Sequence, residues 1–361
     1  MPGALSGIRI IEFAGIGPGP FCAMMLGDHG AEVIRIDRPG ARLDPRDALS
    51  RNRAAVVPID MKTPDGVATA RDLCRTADGL IEGFRPGVME RLGLGPDVLI
   101  GDNPALVYGR MTGWGQHGPY AQAAGHDINY IALAGVLHTI GRAGERPVPP
   151  VNYIGDFGGG GMLLAFGMVS ALLAVKNGAP GQVIDAAMTD GAALLSAMSW
   201  TMLEMGVNRD TAGVNMLDGG APFYDTYACA DGKFIAIGSI EPQFYTLLRA
   251  AAGIADDPDF DHQHDRATWA VKKARLAQIF ASKSRDEWCR VMEATDICFA
   301  PVLAMREAPL HPHNAARETF VTIAGATQPA PAPRFSATPA PLPQPPAQAS
   351  TAPVDDGSHG R

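Results

Sequence analysis

A chain of 361 residues exceeds the usual size of one domain, so a large domain with a smaller companion is expected. Apolar content is ordinary for a globular protein, and a net charge of -8 at pH 7 argues against general nucleic-acid binding. The five cysteines, Cys22, Cys74, Cys229, Cys289 and Cys298, are odd in number and lack C-x-x-C spacing, so they suggest neither a disulfide framework nor a zinc site and read as reduced, mostly buried thiols. The amino terminus has no basic and apolar regions of a signal peptide, and the ending SHGR is not a peroxisomal address, so a cytoplasmic protein is expected. No membrane span is expected either: the longest apolar run, residues 162–175, is interrupted by Gly167 and falls short of the roughly 20 residues needed, so it reads as a buried helix.

In chain order, residues 8–13 read as a buried strand, 15–20 as a glycine and proline turn, 21–28 as a helix and 32–37 as a second strand. This is a βαβ unit, and Asp37 follows Gly15 by 22 positions, near the spacing of a dinucleotide fingerprint. Pro18 and Pro20 lack N–H groups where a pyrophosphate needs donors, which weighs against a nicotinamide cofactor. Arg35, Arg38, Arg42, Arg46, Arg51 and Arg53 then fall within 19 residues, offset by Asp37, Asp44 and Asp47. Either a modest anionic ligand or a solvated loop accounts for them.

A strand at 55–60 places Lys62 beyond its carboxyl end, where α/β folds bind ligands, and Thr63-Pro64 is an N-cap and N1 pair for a helix to about residue 76. The strand at 79–82 and the loop 83–87 repeat this arrangement with Arg85, and Arg91 follows in a short helix. Arg38, Lys62, Arg85 and Arg91 converge if these strands are neighbours in a doubly wound sheet, and such a set suits the phosphates of a nucleotide.

A strand at 103–111 ends in the glycine-rich loop 112–115. Gly125-His126 leads into a helix through Ile140, whose residues Ile128, Ile131, Leu133, Val136, Leu137 and Ile140 keep a 3.6-residue period and predict a core face. His138 reads as an ordinary histidine on that helix. The proline-extended loop 144–150 delivers Asn152 and Asp156 to the next helix, opened by Asp156-Phe157 and the four glycines 158–161. His126 and Asp156 thus each stand at a predicted helix start, beside unpaired N–H groups and the positive end of the dipole. Facing each other they would form a two-base proton-transfer site with stabilisation of an oxyanion at hand. Taken singly, each is equally explained as a helix cap, for which Asp is better suited than His.

In the second half, a strand at 182–186 and a helix at 188–205 precede residues 206–222, whose Gly, Asn and Asp content reads as a linker. Residues 223–229 and 233–237, joined through Ala230-Asp231-Gly232, signal a hairpin, and helical patterns at 244–252 and 287–295 complete a small α+β domain. His262 and His264 have the spacing of a metal pair, but nothing else completes a site, and no metal is expected. From residue 324 to 353 Pro and Ala dominate and predict extended chain, with disorder beyond about residue 351.

Taken together, MTGWGQHGP, AGHDINYIAL, ERPVPP, GDFGGGG, GQVIDAAM, NMLDGGAPFYDTY and IGSIEPQFY resemble, in consistent order from about residue 5 to residue 301, the α-methylacyl-CoA racemases of the family III CoA-transferase superfamily. With the strand pattern, the resemblance implies an α/β fold: a doubly wound, mostly parallel, Rossmann-like large domain (1–205), a linker (206–222), a small α+β domain (223–310) and a return of 311–361 to the large domain through Pro333-Arg334-Phe335-Ser336. It implies 2-methyl-branched acyl-CoA thioesters as substrates, inverted at C2 with neither metal nor organic cofactor, CoA being part of the substrate. An interlocked homodimer is implied as well.

The implied catalytic residues are His126 and Asp156, with Glu241 pairing with the histidine. Contacts to CoA and substrate are implied at Ile16, Arg38, Ile59, Lys62, Glu82, Arg85, Arg91, Gly125, Asp127 and Tyr130. On its own, Glu241 reads as an exposed first-turn glutamate ahead of Pro242. The chemistry agrees with the resemblance, because a weakly acidic thioester α-proton needs a base on one face of C2 and a protonated group on the other. Two other readings stay open at this stage. A CoA transferase would use Asp156 as the nucleophile of an acyl-aspartyl intermediate, against which GHDINY stands, since a transferase needs no opposing histidine. A non-catalytic CoA-binding protein would leave His126, Asp156 and Glu241 unexplained.

Overall fold

A computed structural model describes residues 3–349; the segment beyond residue 351, for which disorder is expected, lies outside the described residues. The chain forms two compact units. The first takes in the chain up to Ala134, Pro150–Ser196 and the chain from Ala316 on; the second takes in Gly135–Pro149 and Ala197–Ala315.

The first unit runs β1 (Arg9–Phe13), α1 (Pro18–Asp28), β2 (Glu32–Asp37), β3 (Arg53–Pro58), α2 (Pro64–Arg75), β4 (Gly79–Glu82), α3 (Val88–Arg91), α4 (Pro96–Asp102), β5 (Val107–Thr112), α5 (Asp127–Leu133), a π-helix (Tyr153–Met162), α6 (Leu163–Lys176), β6 (Val183–Ala187) and α7 (Met188–Leu195). Its six strands form one parallel sheet in the order β3-β2-β1-β4-β5-β6, the doubly wound order. Successive strand residues face opposite layers. Ile10 and Ile81 pack with Cys22, Leu26, Leu164 and Met168, whereas Ile11 and Leu80 pack with Ala70, Cys74 and Leu99. Both faces are therefore covered, which is why these strands read as apolar runs.

Several local expectations are corrected. Helix α1 starts at Pro18 rather than at residue 21, because in a first turn the missing proline N–H removes nothing that the helix would use. The helix expected through Ile140 ends at Leu133; Gly135 takes φ 79°, which breaks the α-helical path, and Ile128 and Leu133 are exposed rather than core. The helix expected to open at Asp156 opens at Tyr153 with wide turns. It continues into α6, and the joined helix Tyr153–Lys176, 24 residues, is long and apolar enough to cross a membrane. Leu164, Ala165, Met168 and Leu172 bury one face of α6, but Phe166, Val169 and Leu173 are exposed, so it is not a wholly buried helix.

The basic run after β2 divides in two. Glu12, without exposed surface on β1, accepts from Arg35 Nη1 at 3.0 Å and Arg53 Nε at 2.7 Å, and Arg53 also donates to the Pro20 carbonyl. Arg51 pairs with Asp28 and Arg46 with Asp44. Arg35, Arg51 and Arg53 thus hold the fold, Arg46 makes an exposed pair within its own loop, and of the six only Arg38 and Arg42 have no ion-pair partner among the described residues. The Asp37 carboxylate accepts from Arg35 Nε and the Arg38 N–H, so it is not poised for a ribose, and the nicotinamide reading loses its acidic residue.

The second unit contains α8 (Ala197–Glu204), β7 (Tyr224–Ala228), β8 (Phe234–Gly238), α9 (Pro242–Ala251), α10 (Trp269–Phe280), α11 (Arg285–Met292) and β9 (Phe299–Val302), with an antiparallel sheet β7-β8-β9. Phe223, Tyr227, Phe260, Trp269, Phe280 and Trp288 build its core. Residues 135–149 belong to this unit rather than to the large domain, since Arg142 binds Asp225 at 2.6 Å. Residues 206–222 are a folded loop: the Asn215 amide donates to the Arg209 and Thr211 carbonyls, and Asp218 accepts the Gly213, Asn215 and Gly220 N–H groups. The His264 ring is exposed and packs edge-on against Phe223.

After α12 (Pro312–Ala316), the hairpin β10 (Phe320–Ile323) and β11 (Ala326–Pro329) returns the chain to the first unit. There His29 Nε2 lies 3.1 Å from the Ala332 carbonyl, and Phe335 packs edge-on against the same imidazole. The Pro/Ala-rich segment then runs beside β3, where Asn52 N–H donates to Gln344 O, Gln344 N–H to Asn52 Oδ1, and Ala347 N–H to Arg53 O.

Candidate active site

His126 is the N-cap of α5, in extended conformation, and its side chain makes no cap hydrogen bond. Asn129 closes that end instead: its Oδ1 accepts the His126 N–H at 3.0 Å, and its own N–H donates to the His126 carbonyl. The exposed imidazole is therefore not explained as a cap.

One residue joins His126 to Asp156. Asp127 follows the histidine, is buried, and its Oδ2 accepts the N–H groups of Gly155 at 2.6 Å and Asp156 at 2.8 Å. A carboxylate at the start of a helix is favoured by the dipole as well as by these donors. Position 155 must be glycine, because a Cβ there would stand 2.7 Å from the same oxygen. Asp156 lies in the first turn of the π-helix, three residues after its start, and its Oδ2 accepts from Asn152 Nδ2 at 3.0 Å. The glycines behind it admit close neighbours: Gly160 faces Met188 and Pro18, and Gly161 faces Phe21. Gly17, at φ 67°, brings the start of α1 beside the Asp156 carboxylate.

Burial raises the Asp156 pKa above the ordinary carboxylate value; the Asn152 hydrogen bond lowers it, the Asp127 charge raises it, and the His126 ring lowers it. Its folded-state contribution to stability is thus present at low pH and lost as pH rises through the raised pKa. If Asp156 takes a proton from the substrate in one direction of a two-base transfer, activity in that direction is expected to rise with pH through that pKa. Asn152→Ala removes a bond that favours the charged form, so this limb of kcat/KM is expected at higher pH. Asp127→Asn removes a neighbouring negative charge and is expected to move the limb to lower pH. Profiles measured for each epimer check both signs.

The other expected contacts divide by environment. Tyr130 is buried, with its hydroxyl donating to the Gly125 carbonyl and its ring edge-on to Trp114. It positions the turn before His126. Ile59 and Glu82 are turned inward as well: Ile59 packs in the core, and Glu82 accepts from Arg110 Nε and the Phe84 N–H. Any ligand contact at Ile59 falls to its backbone. By contrast Ile16 is 85% exposed beside Gly17, and Arg38, Lys62, Arg85 and Arg91 are exposed, with no ion-pair partners among the described residues. Because β3, β2, β1 and β4 are adjacent and parallel, the loops bearing Arg38, Lys62 and Arg85 all leave the carboxyl ends of the strands, on one side of the sheet. Glu241, in the second unit, is the exposed N-cap of α9 and makes no side-chain cap bond.

The sequence model of CoA-transferase family III matches residues 5–354. The chain belongs to this family. Among its relatives are the α-methylacyl-CoA racemases of Mus musculus, 47% identical over 93% of this chain and 87% of that protein, and of Homo sapiens, 47% identical over 93% and 88%. A solved hypothetical protein of Mycobacterium tuberculosis superposes with TM-score 0.81 at 28% identity, covering 97% of this chain and 98% of that one. Asp127, expected to contact CoA or substrate, is instead buried with its carboxylate on the Gly155 and Asp156 N–H groups, a link between the turns of His126 and Asp156 that was not foreseen. Its signal was an aspartate directly after an N-cap, where an acid can reach unpaired N–H groups of another helix as readily as those of its own.

Proposed function

We propose that the protein inverts C2 of 2-methyl-branched acyl-CoA thioesters by two-base proton transfer, using neither metal nor organic cofactor. The observation that carries this reading is the coupling of His126 and Asp156 through Asp127. Neutral imidazole at His126 removes the α-proton from one face of C2, leaving an enolate and imidazolium. The Asp156 carboxyl, whose pKa burial raises so that its protonated form is favoured, delivers a proton to the other face and becomes carboxylate. The reverse direction uses the same groups in exchanged roles. The relatives named racemases support the same substrate class.

The test is incubation in D2O with a (2R)- and a (2S)-2-methylacyl-CoA and no second acid. Deuterium at C2 with epimerisation of both supports inversion. Turnover that appears only after a free acid is added supports acyl-aspartyl chemistry instead.

We further propose that the active form is a homodimer in which Glu241 of one chain serves His126 of the other. Support comes from α6 and the turn before it. Met162, Phe166, Val169 and Leu173 repeat at helical spacing and are between 40% and 71% exposed, although the opposite face of the same helix is core. A helix apolar all round needs cover on both sides. If the sites are shared in this way, a His126→Ala chain paired with a Glu241→Ala chain has one doubly defective site and one intact site. Two inactive homodimers should then regain up to about half of wild-type activity in the tagged, purified heterodimer. No recovery would assign Glu241 to its own chain.

A further inference from the structure

Arg110 lies on β5, and its guanidinium is almost wholly enclosed. Nε donates to Glu82 Oε1 at 3.0 Å, while Nη1 and Nη2 donate to the two Glu90 oxygens at 2.8 and 3.2 Å. Each carboxylate lies close in sequence to an exposed, unpaired arginine. Glu82 ends β4 three residues before Arg85, and its other oxygen accepts the Phe84 N–H at 2.7 Å. Glu90 is the residue before Arg91 on α3. A third anchor holds the same segment from the far side, where Gln122 Nε2 donates to the Pro86 carbonyl at 3.1 Å.

We infer that Arg110 is a positioning residue for the phosphate-bearing end of the substrate: by clamping Glu82 and Glu90 it fixes the loop and helix that present Arg85 and Arg91. The inference rests on the acyl-CoA reading above. A bidentate guanidinium fixes both direction and distance, which a lysine ammonium does not. Arg110 itself is enclosed and touches no ligand. Its effect falls on affinity for the nucleotide, which is the same in ground and transition states, and not on the proton transfer at C2.

The variants are Arg110→Lys and Glu90→Gln. The second keeps the buried Glu82–Arg110 pair intact and releases only the outer, partly exposed anchor, so it folds even if the first does not. Calorimetric binding of CoA itself and kinetics on a 2-methylacyl-CoA and its pantetheine thioester are measured side by side. In both variants the KM for the CoA thioester and the Kd for CoA are expected to rise about tenfold, with the KM for the pantetheine thioester moving less than about twofold. Equal weakening of both thioesters marks a general structural defect and overturns the proposal, as does wild-type CoA affinity in Glu90→Gln. Wild-type protein that binds CoA but does not invert C2 refutes the racemase reading while leaving the clamp standing. Wild-type protein that does not bind CoA refutes both.

Discussion

Replacing His126 or Asp156 by alanine is expected to lower C2 inversion by at least about a thousandfold, the upper part of the range for a lost acid/base group. Inversion needs a working group on each face, so either loss stops the full cycle. Each single variant should still exchange the α-proton of one epimer, because one base remains. The epimer that exchanges should differ between the two variants. The double variant should be little worse than either single one, since groups that act as a unit are not additive. Stopped-time NMR of deuterium incorporation, run beside chiral analysis of the product, separates exchange from inversion. Near wild-type inversion in either variant refutes the two-base assignment. Asp156→Asn adds a geometric control, since it keeps the shape facing Asn152 and Gly17 but cannot carry the proton.

Gly191→Ala is expected to cost about 3 kcal/mol or more and to lower Tm by roughly 4 °C or more. Helix α7 and the π-helix meet backbone to backbone: a Cβ at Gly191 would lie 1.8 Å from the Gly159 oxygen, and one at Gly159 would lie 2.7 Å from Ala192 N. No side chain can move aside to make room, so the two helices must part. Parting them shifts the turn that carries Asp156, and activity should fall even in the protein that remains folded. Gly101→Ala in α4 is the comparison, since nothing stands within 4 Å of its Cβ and its backbone is helical. That change should be neutral or stabilising by up to about 1 kcal/mol. Denaturant melts of the two variants, with kinetics below the transition, test both statements. Equal stability of Gly191→Ala and wild type would contradict the packing described.

The sheet was legible because its strands are buried on both sides and bounded by glycine and proline. The ends of β2 and β4 and the Thr63-Pro64 start of α2 can be read to the residue. What could not be read depends on partners far along the chain. The apolar spacing from Ile128 to Ile140 has a helical period, but Gly135 carries no mark in the sequence that it will turn left-handed there. The arginines between 35 and 53 look alike on paper. Only pairing with Glu12 and Asp28, brought in by neighbouring elements, separates the structural ones from Arg38. His126 and Asp156 could be named because their types and settings suit proton transfer. Asp127 and Arg110 bond to segments distant in sequence that carry other candidate site residues, and which segments they meet is set by the fold.

The Pro/Ala-rich return has a grammar that its composition conceals. Gln344 and Ala347 are the residues whose N–H groups bond to the chain at the border of β3, and neither is proline. Pro341, Pro343, Pro345 and Pro346 occupy intervening places where no such donor is required. An exposed sheet edge invites strands from other molecules, and here the chain's own extended tail occupies part of it. That cover uses main-chain atoms, but the segment also buries the rings of Pro343 and Pro346. A stretch that looks like filler is therefore constrained both in where it may not be proline and at the two prolines it buries.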